Sequence, residues 1–280
     1  MESIALDDYL LEHMSPEHPY LHQLYRATHT RLLRPRMASG PLQGKLLTLL
    51  CRLLQPRTVV EIGTYSGYSA LAMAAGMPEG SRIFTFEIND EQEDFTRPWL
   101  ENSPWRAKVD IRMVIGDILQ AEDQVSEGID LAFVDGNKRD YLAYYEFLLP
   151  RLSPGGCMLA DNTLWDGHVL EPERDDPQTR GIRAFNDRVA RDERVETLIL
   201  PLRDGLTQTP LIAPRHSAEG AHIPHAQHTD PTMETTRQHK IARLLQKELS
   251  EIFLLQTKAM HGVLVSVSKT YISPDMSICR

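Results

Sequence analysis

The chain has 280 residues, of which 41% are hydrophobic and 25% charged, and a formal net charge of −9. Such a composition supplies a full globular core and excludes a disordered or collagen-like chain. No apolar run approaches the roughly 18 residues of a membrane span, and the acidic, amphipathic start MESIALDDYLLEHM is unlike a secretory signal. The charge is unevenly spread: residues 233–280 carry seven Lys or Arg against four Asp or Glu, which leaves the first 232 residues at −12. An acidic body of this kind argues against a broad footprint for nucleic acid. Cys51, Cys157 and Cys279 are scattered and odd in number. They offer neither a disulfide framework nor metal-ligand spacing, and a reducing cytoplasm is the expected location.

Residues 3–54 read as helical, with apolar positions at helical spacing (Ile4, Leu6, Leu10, Leu11, then Leu21, Leu24, Tyr25). Pro16 and Pro19 punctuate the first two segments, Pro35 and Pro41 bracket the loop MASG, and a third helix is expected over about 42–54. Short apolar runs then alternate with helical stretches. Strands are expected at 58–62, 82–87, 109–115, 129–134, 157–160 and 195–200, and helices near 66–76, 90–102, 140–149 and 180–192. Repeated alternation with continuous apolar strands predicts an α/β fold, a mainly parallel sheet covered by helices on both faces. Ligands of such sheets bind beyond the carboxyl ends of the strands.

After Leu206 the pattern breaks. Residues 207–232 contain four prolines and four histidines with almost no apolar periodicity, and read as a flexible linker. His216, His222, His225 and His228 lack regular spacing and are taken as solvated linker residues. A helical pattern restarts at Met233 (Ile241, Leu244, Leu245, Leu249, Ile252, Phe253), followed after Gly262 by the strand-like VLVSVSKTYI, a partial αβ tail. The expected division is therefore a domain over 1–206, a linker over 207–232 and an incomplete fragment over 233–280.

Two groups of residues carry chemistry. Glu61-Ile62-Gly63-Thr64-Tyr65-Ser66-Gly67-Tyr68-Ser69 lies where the first strand turns into its helix, and its glycines permit a tight turn and close approach of a ligand. Glu87 ends the next strand, where a carboxylate can accept from both hydroxyls of a ribose. The spacing G-x-x-x-G is not the G-x-G-x-x-G of a pyrophosphate cradle, which disfavours an NAD-dependent oxidoreductase. An acid at Glu61 suits a cationic cofactor such as S-adenosylmethionine. The plain alternative is a structural turn with a surface glutamate. In the second group, Asp135-Gly136-Asn137-Lys138 closes the fourth strand and Asp161-Asn162 the fifth. If these strands are neighbours, two carboxylates and an amide oxygen converge, a hard donor set for Mg²⁺. Lys138 would then stand close enough to take a proton or stabilise an oxyanion. The alternative there is a pair of helix-capping acids and a solvated lysine. Cys51 and Cys157, in apolar surroundings, are taken as core residues rather than nucleophiles.

As a set and in this order, the residues resemble the cation-dependent O-methyltransferase family of caffeoyl-coenzyme A, catechol and bacterial tRNA-modifying type. The carriers are Met37-Ala38-Ser39, VVEIGTYSGYSALAMA, FTFEIND, the GD at 116–117, DLAFVDGNKRDY, LPRLSPGGCMLADNTLWDGHV and LPLRDGL, spread over residues 1–206. The resemblance implies a Rossmann-like S-adenosylmethionine-dependent methyltransferase fold. It places the cofactor near Met37, Ser39, Glu61, Gly63, Tyr65, Ser69, Glu87, Asp117, Ile118 and Asp135. It places Mg²⁺, or another divalent cation such as Mn²⁺, on Asp135, Asp161 and Asn162, with Lys138 and Asp135 serving catalysis at the reacting oxygen. Trp165 and the 163–180 loop would shape the acceptor pocket. The implied acceptor is a catechol-like phenol or a tRNA hydroxyuridine, ahead of a coenzyme A ester, and the implied partner a second copy of the chain docked through its N-terminal helices, with no membrane.

Residues 233–280 resemble the N-terminal part of ribosome-binding factor A, a KH-like RNA-binding family, on the basic helix containing LLQKELSEI and the run Ser273-Pro274-Asp275-Met276-Ser277. Two origins stay open: a frameshift joining neighbouring reading frames, or a genuine fusion that would reach ribosomal RNA. The second function carried forward is accordingly an RNA-binding or ribosome-assembly protein on a methyltransferase-like scaffold.

Overall fold

The stretch Thr58–Ile62 is apolar except for one glutamate, and all five residues are buried, as expected of a central parallel strand covered on both faces. In the computed structural model, which describes residues 2–211 apart from 126, this strand (β1) lies at the centre of a seven-stranded sheet. The other strands are β2 (Ser81–Glu87), β3 (Val109–Ile115), β4 (Ile129–Val134), β5 (Leu152–Asp161), β6 (Leu198–Leu200) and β7 (Leu206–Pro210), in the order β3-β2-β1-β4-β5-β7-β6. The first five are parallel, and β7 runs antiparallel to both β5 and β6. The readings made for residues 212–280 lie outside the described residues.

Side chains alternate across a strand, so each strand feeds two cores. Val59, Leu131, Phe133, Cys157 and Leu159 face one, and Val60, Ile62, Ala132, Val134, Met158 and Ala160 the other. The first core is roofed by α2 (Pro19–Arg31), α3 (Gly40–Leu54), α4 (Tyr68–Gly76) and α5 (Glu93–Glu101), the second by α6 (Tyr141–Leu148) and α7 (Pro177–Ala190). An N-terminal helix, α1, spans Glu2–His13. Small residues in YSALAMAAG let α4 lie tightly against α3, where Thr48 Oγ1 donates to Ala72 O at 2.8 Å. Among the described residues no helix is long and apolar enough to cross a membrane.

Three differences from the sequence reading have local causes. The strand expected at 157–160 begins at Leu152, because Pro154-Gly155-Gly156 forms a bulge rather than a break, with Gly155 at φ +78°. The helix expected from 180 begins at Pro177: Asp176 caps it through the amides of Gln178 (3.1 Å) and Thr179 (3.0 Å), and proline suits the first turn. The third is a correction of the linker boundary. Residues 207–210 belong to the sheet, and the strand expected at 195–200 is cut to Leu198–Leu200 at its edge. Pro210 is tolerated because hydrogen bonding to β5 passes on either side of it. Leu211 N donates to Gly156 O at 2.8 Å, and the side of the proline that lacks an N–H faces Glu196, whose amide donates to Pro210 O at 3.1 Å.

Candidate active site

The parallel register aligns Phe86 with Ile62, Ile62 with Val134, and Val134 with Ala160. One residue further along each strand, Glu87, Gly63, Asp135 and Asp161 form a row across the carboxyl end of the sheet, at steps of about 5 Å. The row spans the place where β1 is flanked by β2 on one side and β4 on the other, the switch point at which open α/β sheets bind ligands.

At the β1 end the backbone is fixed by Gly63 N donating to Phe86 O (2.9 Å) and Asp135 N to Ile62 O (2.8 Å). Gly63 has φ +97°, and a Cβ there would overlap the carbonyl of Asp135. The loop that follows is clamped by Glu87, whose Oε2 accepts from Tyr65 N (2.7 Å) and Oε1 from Asn89 N (2.9 Å). Each oxygen keeps a second lone pair for a ligand. Glu61 is fully buried. Its Oε2 accepts from Thr85 Oγ1 at 2.5 Å, while its buried Oε1 has no protein partner. Burial pushes its carboxyl up to about 8; the hydroxyls of Ser69 and Thr85 oppose this, and the nearby Asp135 and Glu87 add to it. A buried carboxyl group set among hydroxyls and other acids, with one oxygen unused, fits a ligand cation.

On the β4–β5 side, Lys138 is nearly buried and donates from Nζ to Asp135 Oδ1 (2.6 Å) and to Tyr141 Oη (2.7 Å). Tyr141 Oη in turn donates a hydrogen bond to the backbone carbonyl of Asp161 (2.8 Å). The lysine, the two aspartates and the tyrosine are thus one connected group. Asp161 is buried, with Oδ1 taking its neighbour Asn162 N (2.9 Å) and Oδ2 taking Gln43 Nε2 (2.7 Å). Burial, and then the charge of Asp135, raise the Asp161 carboxyl above the ordinary carboxylate range, while Gln43, Lys138 and the Asn162 amide act the other way. Asn162 adopts φ +58°, a left-handed turn that asparagine accepts more readily than most residues. No group of three or more His, Cys, Asp or Glu side chains that could hold a metal occurs among the described residues. The candidate set holds two carboxylates and takes its third oxygen from the amide of Asn162. That donor set fits a hard divalent cation.

The remaining expected residues border this row. Gly116 N donates to Glu87 O (2.8 Å), so Asp117, which caps the next turn through Leu119 N (3.0 Å), and buried Ile118 stand beside Glu87. Ser69, in the first turn of α4, stands near Glu61 and favours its ionised form. Met37 is half exposed and Ser39 buried, in the segment leading into α3. Trp165 lies in a loop where it, Asp166 and Gly167 all have positive φ (50°, 51° and 80°).

Sequence reasoning missed what holds these loops. In the turn before β7, Arg203 donates to Ser39 O, to Ala38 O (3.2 Å) and to Gln43 Oε1 (3.0 Å). Its neighbour Asp204 accepts from Asp166 N through its carboxylate and from Leu164 N through its carbonyl (2.9 Å). Gln43 carries one signal visible in the sequence: it is a polar residue within the buried stripe Gly40, Gly44, Leu47, Thr48, Cys51 of α3.

Known proteins resemble this chain along most of its described length. Residues 11–211 match the O-methyltransferase family. The chain is 35% identical over 216 residues to catechol O-methyltransferase domain-containing protein 1 of Mus musculus, an alignment covering 74% of this chain and 79% of that protein. It is 37% identical over 182 residues to caffeoyl-CoA O-methyltransferase 2 of Zea mays, covering 61% and 69% respectively. Among solved structures, the O-methyltransferase of Bacillus cereus in complex with S-adenosylhomocysteine superposes with a TM-score of 0.68 at 29% identity, covering 74% of this chain and 97% of that one. The O-methyltransferase of tomaymycin synthesis from Streptomyces achromogenes, in complex with S-adenosylmethionine, gives 0.68 at 27% identity, with 75% and 96% covered.

Proposed function

The chain belongs to the O-methyltransferase family, and from that premise we propose that it transfers the methyl group of S-adenosylmethionine to a hydroxyl lying beside a second oxygen on its acceptor. The observation that carries the reading is the row Glu87, Gly63, Asp135, Asp161 across four adjacent strand ends, with the unpartnered Glu61 Oε1 below it and Lys138 within it.

Each residue has a task. Glu61 and Asp135 take the cofactor's ammonium, Ser69 orients Glu61, and Glu87 takes the ribose hydroxyls. Gly63 and Tyr65 leave the ligand room against the backbone, Asp117 and Ile118 flank the base, and Met37 and Ser39 close over it. Asp135, Asp161 and Asn162 would hold Mg²⁺ or Mn²⁺; such an ion, when bound, favours the ionised form of the acceptor hydroxyl and gives its two oxygens adjacent positions. Lys138 has two N–H groups committed to Asp135 and Tyr141, and directs the third at the acceptor oxygen as its proton leaves. The carbon–oxygen bond forms as the carbon–sulfur bond breaks, which yields the methyl ether, S-adenosylhomocysteine and a proton. Holding both reactants in line lowers the barrier by roughly 7–11 kcal/mol. A catechol-like phenol is the acceptor that fits best. The acidic body is the opposite of what a tRNA backbone needs, so a tRNA hydroxyuridine stands second. We also propose a homodimer, for which Leu49 and Leu53, exposed on α3, are the contact side chains to test by sedimentation.

The test is methyl transfer from labelled S-adenosylmethionine to a panel of phenols and to unmodified tRNA, with and without Mg²⁺. Transfer to neither acceptor, with S-adenosylhomocysteine left unbound in calorimetry, would refute the reading.

Glu61 gives a pH prediction. Its folded carboxyl is pushed up to about 8, whereas an unfolded glutamate ionises near 4.3. Its contribution to the stability of the ligand-free protein is therefore complete below about pH 4 and is lost as the pH rises through about 8. A ligand ammonium needs the carboxylate, so binding below pH 8 must expel that proton. The affinity for S-adenosylhomocysteine is expected to rise with pH by up to about tenfold per unit between about pH 6 and 8, then level off. Glu61→Gln should bind weakly with no such slope. A flat wild-type profile in calorimetry would count against Glu61 as the ammonium site.

A further inference from the structure

Behind Asp161 lie two side chains to which the chemistry above gives no task. Gln43 is 1% exposed, and its amide is read without ambiguity at both ends. Nε2 meets a carboxylate, which only accepts, and Oε1 meets a guanidinium, which only donates. Arg203 supplies that guanidinium from a backbone at φ +52°, a region a long side chain seldom occupies and which the fold maintains here. The same group holds the carbonyls of Ala38 and Ser39, and Nη2 reaches Arg36 O at 3.4 Å. One arginine therefore touches both the segment assigned to the cofactor and, through Gln43, the carboxylate assigned to the metal.

We propose that Gln43 and Arg203 are positioning residues for the divalent cation: Arg203 orients Gln43, and Gln43 turns Asp161 Oδ2 so that the carboxylate's remaining lone pairs face Asp135 and Asn162. Arg203 in addition fixes the 36–39 segment. Asp161 is then held from two directions, by Gln43 at Oδ2 and by Asn162 N at Oδ1. Groups that orient a ligand in this way typically change metal affinity about 10–100-fold when removed. The inference rests on the metal reading given above.

The test uses the full chain and two probes, Mn²⁺ followed by the paramagnetic resonance of the free ion, and S-adenosylhomocysteine followed by calorimetry. Gln43→Leu is expected to weaken Mn²⁺ about tenfold or more while S-adenosylhomocysteine affinity stays within about twofold. Arg203→Met should weaken both ligands. The double variant should lose no more Mn²⁺ affinity than Gln43→Leu alone, because the two act through one carboxylate. Wild-type Mn²⁺ affinity in Gln43→Leu, or additive losses in the double variant, overturns the relay. Should Gln43→Leu lose S-adenosylhomocysteine as well, Arg203→Met decides: a tenfold loss of Mn²⁺ supports the relay, and unchanged Mn²⁺ affinity overturns it. A wild-type chain that binds S-adenosylhomocysteine but not Mn²⁺ overturns the metal reading together with this inference, an outcome distinct from failure of the relay alone.

Discussion

Asp135→Ala is expected to lower kcat/KM for methyl transfer by at least about a thousandfold, equivalent to about 4 kcal/mol of transition-state stabilisation. Asp135 is asked to do three things at once: hold the cation, face the cofactor ammonium and anchor Lys138 at 2.6 Å. Alanine removes one of the three oxygens proposed for the metal and leaves a nearly buried lysine with Tyr141 Oη as its remaining side-chain partner. A charge left unpaired in so enclosed a place is free to turn toward Asp161 or Asp204, whose carboxyls already feel its field. That movement would carry the Lys138 N–H away from the acceptor. Asp135→Asn keeps the shape and an oxygen but not the charge, and should fall between the two. Steady-state rates at saturating Mg²⁺, with circular dichroism to confirm folding, check the prediction; activity within tenfold of wild type would remove Asp135 from the mechanism.

Gly63→Ala is expected to destabilise the protein by about 2–6 kcal/mol and to abolish cofactor binding in whatever fraction remains folded. Two separate penalties add. A left-handed backbone at φ +97° costs a side-chain-bearing residue about 1–3 kcal/mol. The new methyl group would also overlap the Asp135 carbonyl, which cannot retreat because Asp135 N is bonded to Ile62 O at 2.8 Å; overpacking of this kind costs about 1–3 kcal/mol. The sum corresponds to a fall in thermal midpoint of roughly 10 °C. Gly155→Ala is the control. Its φ is +78° but nothing lies within 4 Å of the added carbon, so the backbone strain alone should appear, about 1–3 kcal/mol. Equal losses at the two positions would mean that the contact with Asp135 does not matter.

The fold was readable where the sequence is locally consistent. The runs Thr58–Ile62, Val109–Ile115 and Ile129–Val134 are mainly apolar, bounded by turn residues, and form strands with those limits. It was unreadable where polar side chains enter the core. Thr207 and Thr209 are buried, their hydroxyls donating to Thr163 Oγ1 (2.7 Å) and Met158 O (3.3 Å), so hydropathy hides the strand that separates β5 from β6.

The candidate site divides in the same way. Glu61, Glu87, Asp135 and Asp161 stand at or next to strand ends, so locating the strands locates the acids. The parallel register does the rest. Gln43 and Arg203 meet across 160 positions of sequence. No local pattern announces such a contact, and an arginine in a surface turn reads as solvated until its acceptors are known.

Diffraction from crystals grown with Mn²⁺ and S-adenosylhomocysteine tests the central geometric claim most directly. The expected result is anomalous density for Mn²⁺ bounded by the side-chain oxygens of Asp135, Asp161 and Asn162, with the amino group of the bound product against Glu61. Manganese bound elsewhere, with those three oxygens unliganded while S-adenosylhomocysteine fills the cleft, would contradict it.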